Sequence, residues 1–249
     1  MAAPNDIAGG TASTRPVASV LVDFDGTASS LDGFVELCRQ FVGDDWERHF
    51  ERASWKGTAT HRADMQRLAR LLRAPRDELL AFALAHISLD PDFAPFVHWA
   101  RERGVEVVVV SDGLGFYVEP LLEAAGLSGL PILTNVLIEE PGGLALRHPH
   151  EHPRCRGCGT CKMRAVLDHR ARGPVAFVGD GSSDRYAALY ADRVFAKDML
   201  ERICARDGVP FESWETFGDV RAALAERRPH VSRVGPDVCP GWTFDEERL

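Results

Sequence analysis

Two aspartates separated by one residue close an apolar run in VLVDFDGTASSLD, Val20 to Asp32. A buried strand normally excludes Asp, because an unpaired carboxylate in apolar surroundings is very costly. At a spacing of i, i+2 on a strand, Asp23 and Asp25 point to the same side. Anions held that close share a cation or a proton, so the strand is expected to end at a metal site. Two other apolar runs end in similar chemistry. VEVVVVSDG, Val105 to Gly113, delivers Ser111 and Asp112, and PVAFVGDGSSD, Pro174 to Asp184, delivers Asp180 and Asp184. The remaining dense cluster is HPHEHPRCRGCGTCK, His148 to Lys162. Its Cys155, Cys158 and Cys161 fall at two-residue gaps behind His148, His150 and His152. Thiolates and imidazoles so spaced suit tetrahedral zinc, and a structural Zn²⁺ there would pin the loop that presents Lys162. The plainer alternative is a loop of reduced cysteines tightened by Gly157 and Gly159, since structural zinc sites usually join two separated ligand pairs.

Something must bring these endings together. The three runs are near-continuously apolar, as in parallel strands covered on both faces. Helical patterns lie between them: DFAPFVHWARERG, GFYVEPLLEAAG and CKMRAVLDHRARG, with Gly104, Gly126 and Gly173 where helix ends belong. Strand–helix alternation predicts a Rossmann-like α/β fold, a three-layer parallel sheet with right-handed crossovers. Ligands of such sheets collect beyond the carboxyl ends of the strands. The stretch between the first two strands is far longer than a crossover needs. It carries FVELCRQFV, THRADMQRLARLL and PRDELLAFALAHI, and predicts an inserted α-helical cap over the strand ends. The expected organisation is a lead at 1–16, a core at 17–28 and 92–228, a cap at 29–91 and a Pro-rich tail at 229–249. ILTNVLIEEPGGLALRH predicts a hairpin turning at Gly142-Gly143.

The chain is 249 residues, 45% apolar and 27% charged, with a formal charge of -8. That balance is ordinary for a soluble globular protein. It argues against nucleic acid as a partner, which recruits clustered Lys and Arg. No apolar run approaches the roughly 20 residues that span a bilayer, and the opening MAAPNDIAGGTASTRP lacks the basic start and apolar stretch of a signal peptide. The expectation is a cytoplasmic protein, monomer or homodimer, with no membrane partner and its six cysteines reduced, buried or metal-bound.

Taken in order, DFDGT, SDG, a later Lys and GDGSSD resemble the four motifs of the haloacid dehalogenase-like superfamily, most of whose members are phosphatases. The resemblance runs from about Val17 to Phe217. The helical insert after the first motif is similar to that of the phosphoserine phosphatase-like subgroup. CGTCK and GDGSSDRYAALYADRVFAKDML look closest to the group resembling the 2-hydroxy-3-keto-5-methylthiopentenyl-1-phosphate phosphatase of methionine salvage. The resemblance implies that Asp23 is the nucleophile, forming an aspartyl-phosphate, and that Asp25 is the general acid and then the base. It implies a Mg²⁺ held by Asp23, the Asp25 backbone carbonyl and Asp180, with Asp184 behind them. Ser111, with Asp112 and Gly113, would bind the phosphoryl group, and Lys162 would neutralise it. Arg154, Arg156 and Arg164 are the other cations near that position. Thr27 would steady Asp25 and the phosphate. In the cap, Asp32 and Arg67 (or Arg62) are candidates for the substrate's far end. Asp32 equally suits a helix start, and the arginines a solvated helix face. Ser183 stands where relatives often carry Asn.

The expected activity is Mg²⁺-dependent hydrolysis of a small phosphomonoester. A phosphoserine or amino-alcohol phosphatase is the alternative, and a non-catalytic module binding a phosphorylated metabolite is the rival from another class. A phosphonatase would need a Schiff-base lysine in the cap, where only Lys56 stands. A dehalogenase would not need Asp25.

Overall fold

The computed structural model describes residues 12–13, 15–43, 46, 60–153, 155–226 and 230–231. Its centre is a seven-stranded sheet. In chain order the strands are β2 (Ser19–Val22), β3 (Glu106–Leu114), β4 (Ile132–Glu140), β5 (Gly143–Arg147), β6 (Val175–Gly179), β7 (Arg193–Ala196) and β8 (Glu212–Ser213). The spatial order is β5-β4-β3-β2-β6-β7-β8. All neighbours are parallel except β4 and β5, which form the expected hairpin, with Gly143 at φ +116° in its turn. A short β1 (Ala12–Ser13) pairs antiparallel with β9 (His230–Val231) outside the sheet. Residues 1–11 and 14 of the expected lead, the tail apart from β9, Lys56 and Arg154 lie outside the described residues.

The three apolar runs became the central strands because their alternate side chains serve two cores. Val20, Val22, Val107, Val109, Ala176 and Val178 face one apolar layer. Leu21, Val108, Val110, Val175 and Phe177 face the other. Each fully buried side chain of this kind contributes about 1.5–3 kcal/mol. The second layer is closed by α6 (Lys162–Arg170), α7 (Arg185–Tyr190) and α8 (Asp198–Asp207). The first is closed by α4 (Phe93–Glu102), α5 (Gly115–Ala124) and α9 (Phe217–Ala225).

Between β2 and β3 come α1 (Gly33–Phe41), α2 (His61–Leu71) and α3 (Arg76–His86). Their inward residues Phe34, Leu37, Leu68 and Leu79 join the same apolar cluster as the first face of the sheet. The chain enters and leaves this insert side by side. Ser30 N–H donates to Ser88 O at 2.9 Å, and Asp90 N–H to Ala28 O at 2.9 Å. The insert is also tied down at its far side, where Arg62 N–H donates to Gly157 O at 3.1 Å and Leu146 N–H to the Gln66 side chain at 3.1 Å. The strands β7 and β8 were not among the expected runs. They hold only four and two residues, too few for a period to stand out. Among the described residues no helix is long and apolar enough to cross a membrane.

Candidate active site

Register puts the three polar endings level. Val22 lies beside Val109 of β3 and Val178 of β6. Pairing continues one residue further, as Asp23 N–H donates to Val178 O at 3.0 Å. The chain then leaves the sheet in a tight turn, with Ala28 N–H bonded to Asp23 O at 3.2 Å and Ser29 N–H to Phe24 O at 2.9 Å. Gly26 is required twice in that turn. Its φ is +76°, and a Cβ there would stand 2.6 Å from Asp180 Oδ2.

Lys162, the first residue of α6, reaches across to the turn. Its Nζ lies 2.7 Å from Asp23 Oδ1 and 2.7 Å from Asp184 Oδ1, and donates to Ser183 Oγ at 3.2 Å. Asp184 is fully engaged, because its Oδ2 accepts the Asp180 and Gly181 N–H groups at 3.1 and 2.9 Å. Ser183 thus serves as an acceptor for the lysine. Burial would strip the Lys162 proton, but the charges of Asp184, Asp23 and Asp112 together outweigh it and hold its pKa above the usual lysine value.

Carboxylate oxygens of Asp23, Asp180 and Asp184 lie within 4.8 Å of one another. Burial first, then the Asp184 charge, push Asp23 well above the ordinary carboxylate range, against Lys162. The same two causes, in the same order, raise Asp180 to about 6. Three acids facing one ammonium leave the site short of positive charge. The donor set is all hard oxygen, which suits a magnesium ion.

Asp25 sits across the turn from this trio and has separate partners. Its Oδ1 accepts Gly33 N–H at 2.8 Å, and its Oδ2 accepts Ser111 Oγ–H at 3.2 Å. The Tyr117 hydroxyl lies 3.1 Å from both oxygens. Burial, then the Asp32 charge, raise Asp25 to about 7, and the Gly33, Tyr117 and Ser111 hydrogen bonds oppose them. Ser111 in turn accepts Gly113 N–H at 2.8 Å.

The family profile for haloacid dehalogenase-like hydrolases matches residues 20–189, which carry all of these groups. The chain belongs to that family. A 2-hydroxy-3-keto-5-methylthiopentenyl-1-phosphate phosphatase of Brevibacillus brevis is 28% identical over 84% of this chain and 96% of its own length. One from Geobacillus kaustophilus is 30% identical over 81% and 93%. Among solved structures, a phosphoserine phosphatase carrying a phospho-aspartyl intermediate analogue aligns with TM-score 0.62 at 20% identity, over 85% of this chain and 99% of the other. That likeness is one of fold, the haloacid dehalogenase-like core with its flanking helices.

Within this haloacid dehalogenase-like site, some expected residues have other partners. Thr27 donates to Asp180 Oδ1 at 2.5 Å rather than to Asp25, because the turn at Gly26 swings it toward β6. Asp32 is the N-cap of α1, accepting Val35 N–H at 2.9 Å, an exposed residue whose charge is felt by Asp25. Arg67 pairs with Asp64 of its own helix at 2.6 Å. It is His61, at the start of that helix, whose Nε2 faces Asp112 Oδ2 at 3.6 Å. The Asp112 carboxylate also accepts Thr160 N–H at 2.6 Å, tying β3 to the cysteine loop.

Of the two readings of the cysteine loop, zinc is not supported. His152, Cys155, Cys158 and Cys161 do line one cavity of about 20 Å³ beside Lys162. Yet among the described residues only the aspartate trio brings three potential ligand atoms within 4.8 Å of one another. A tetrahedral thiolate site needs its sulfurs drawn in around metal bonds of about 2.3 Å, and here they stand too far apart. Burial raises the Cys161 thiol above its usual pKa. The loop is packed through its backbone instead, with Cys161 N–H bonded to His150 O at 2.9 Å and Cys155 N–H to His152 O at 3.1 Å.

Two of these contacts had no sequence signal of their own. Tyr117 lies in an apolar helical stretch, GFYVEPLL, where an aromatic residue reads as core. His61 lies at the start of a polar helix, where it reads as solvated surface.

Proposed function

We propose that this enzyme hydrolyses a small phosphomonoester through a phosphoryl group carried on Asp23, with Asp25 as acid and then base. One observation carries the reading. At the carboxyl end of the sheet, Asp23 is joined to Lys162 and to two further carboxylates, while Asp25, two residues on, is held apart by hydroxyl and amide groups. An Asp23 oxygen attacks phosphorus as the bond to the leaving oxygen breaks, and the Asp25 proton passes to that oxygen. Water then attacks phosphorus, gives its proton to Asp25, and the Asp23–phosphorus linkage breaks. Lys162 steadies charge on Asp23 and on the phosphoryl oxygens. Ser111, Asp112 and Gly113 cradle the phosphoryl group at the end of β3. Asp23, the Asp25 carbonyl and Asp180, with Asp184 behind them, would hold a magnesium ion, which would supply the charge neutralisation that lets one anion approach another.

We place the leaving group under the helices between β2 and β3, taking the insert at 29–91 as a cap on the core. Two points favour a phosphate with an uncharged tail over phosphoserine. The relatives named above act on a methylthio-ketose phosphate. Phosphoserine needs a cation for its carboxylate, and the candidate Arg67 is already paired with Asp64. Asp32 remains available for a hydroxyl or an amine. The reading places the enzyme in the cytoplasm, acting on a free metabolite as a monomer or homodimer without nucleic acid or membrane.

The test is kcat/KM for 2-hydroxy-3-keto-5-methylthiopentenyl-1-phosphate beside phosphoserine, with and without EDTA. The ketose phosphate is expected to be favoured by tenfold or more, about 1.4 kcal/mol. EDTA is expected to abolish turnover of both, with Mg²⁺ restoring it. A tenfold preference for phosphoserine would reverse the substrate assignment. Binding without turnover in Mg²⁺ would make the protein a non-catalytic module.

A further inference from the structure

Asp25 has an arrangement of partners that the acid–base role alone does not require. Tyr117 is fully buried on α5 and touches solvent nowhere, so it is not placed to bind substrate. Its hydroxyl nonetheless lies 3.1 Å from each oxygen of Asp25. Two glycines leave the space for that contact. A Cβ on Gly33 would stand 2.8 Å from the Tyr117 ring. A Cβ on Gly113 would stand 2.6 Å from the Tyr117 hydroxyl and 2.1 Å from Asp25 Oδ2. Side chains at those positions would have to displace the phenol or the carboxylate. Phe24 and Phe116 flank the ring, with centroids at 6.3 and 5.4 Å, and fix its plane.

The chemistry of the partners separates the two oxygens. Oδ1 faces the Gly33 N–H, which can only donate, so Oδ1 must remain an acceptor. Oδ2 faces the hydroxyl of Ser111, and the Tyr117 hydroxyl lies equally near both oxygens. A hydroxyl donates to a carboxylate and accepts from a carboxylic acid. A hydroxyl can therefore stay beside either oxygen of Asp25 in both protonation states, whereas an amide N–H suits only the oxygen that carries no proton. When phosphate engages Ser111, Tyr117 is left as the hydroxyl that still faces the Asp25 carboxyl.

We propose that Tyr117 is a positioning residue for the reaction: together with the Gly33 N–H on Oδ1, its hydroxyl donates to the Asp25 carboxyl and fixes it so that Oδ2, which carries the transferable proton, faces the reacting oxygen in both halves of the catalytic cycle. This rests on the phosphatase reading above. The relevant signature is leaving-group dependence. A misplaced acid hurts substrates whose leaving oxygen needs a proton and spares those whose leaving oxygen does not.

The experiment is Tyr117→Phe, which keeps the ring and removes the hydroxyl, assayed in the intact chain with Mg²⁺. The substrates are p-nitrophenyl phosphate and alkyl phosphates of rising leaving-group pKa. The expected result is a loss in kcat/KM of about tenfold or more on the alkyl phosphates, the scale of one hydrogen bond to a charged group, against about threefold or less on p-nitrophenyl phosphate. In an Asp25→Asn background, Tyr117→Phe is expected to add no further leaving-group-dependent loss. Equal losses across the series, no loss at all, or full additivity with Asp25→Asn would each overturn the proposal while leaving the phosphatase reading intact. A wild-type protein inert on every substrate would overturn both.

Discussion

Asp23→Asn is expected to abolish turnover and leave the fold unchanged. The substitution keeps the shape of the side chain and removes the nucleophilic oxygen charge. An amide cannot take the phosphoryl group, so no alternative covalent route remains at this position. Losing such a route costs several kcal/mol, and each 1.36 kcal/mol is tenfold in rate. The expected kcat is below about a hundredth of wild type. The fold should tolerate the change, because burial and the neighbouring Asp184 make the Asp23 charge costly where it stands. Lys162 keeps its contact with Asp184 at 2.7 Å. Steady-state rates and a thermal melt measure the two effects separately. A variant that is folded and retains more than about a hundredth of wild-type rate would remove Asp23 from the nucleophile's role.

Asp25→Asn is expected to have a large effect that depends on the substrate. An alkoxide leaves only if it is protonated, whereas nitrophenolate leaves without a proton. General acid catalysis typically contributes 10²–10⁴-fold. The loss in kcat/KM on an alkyl phosphate should fall in that range, and the loss on p-nitrophenyl phosphate should stay within about tenfold. The second half-reaction needs the same carboxylate as a base. With p-nitrophenyl phosphate, kcat should therefore fall further than kcat/KM, and the phosphorylated enzyme should accumulate. Parallel losses on both substrates would take the acid role away from Asp25. Asn also disturbs the Tyr117 and Ser111 hydroxyls, each about 3 Å from the carboxylate, so structural integrity is checked by the same melt.

Much of this was legible along the chain, for a physical reason. Parallel strands buried on both faces must be apolar for their whole length, so the first polar residue marks the carboxyl end. That rule places Asp23, Ser111 and Asp180 without any knowledge of tertiary contacts. Lys162 was legible through its position between the second and last motifs and the CGTCK text around it, and it lies against Asp23 and Asp184. Contacts made by the turn after β2 were harder. Thr27 was expected beside Asp25, but the +76° φ of Gly26 turns it toward Asp180. Tyr117 was invisible because its partner is distant in sequence and its space is made by two glycines, Gly33 and Gly113. Neither glycine announces a phenol. The cysteine spacing suggested a metal that the loop's geometry does not support, since regular spacing in sequence does not bring sulfurs together. Arg67 could not be told from a surface arginine by pattern, and its pairing with buried Asp64 depends on how α2 packs.

The central claim is a covalent phosphoryl group on Asp23. It is tested most directly by mixing the Asp25→Asn variant with Mg²⁺ and excess phosphoryl-labelled p-nitrophenyl phosphate, quenching rapidly in acid, and mapping the label by peptide mass analysis. The account predicts a burst of leaving group close to one per enzyme and a phosphoryl label on the peptide at Asp23, absent in the Asp23→Asn protein. Steady release of leaving group with no burst, no label at Asp23 and undiminished turnover in Asp23→Asn would contradict it.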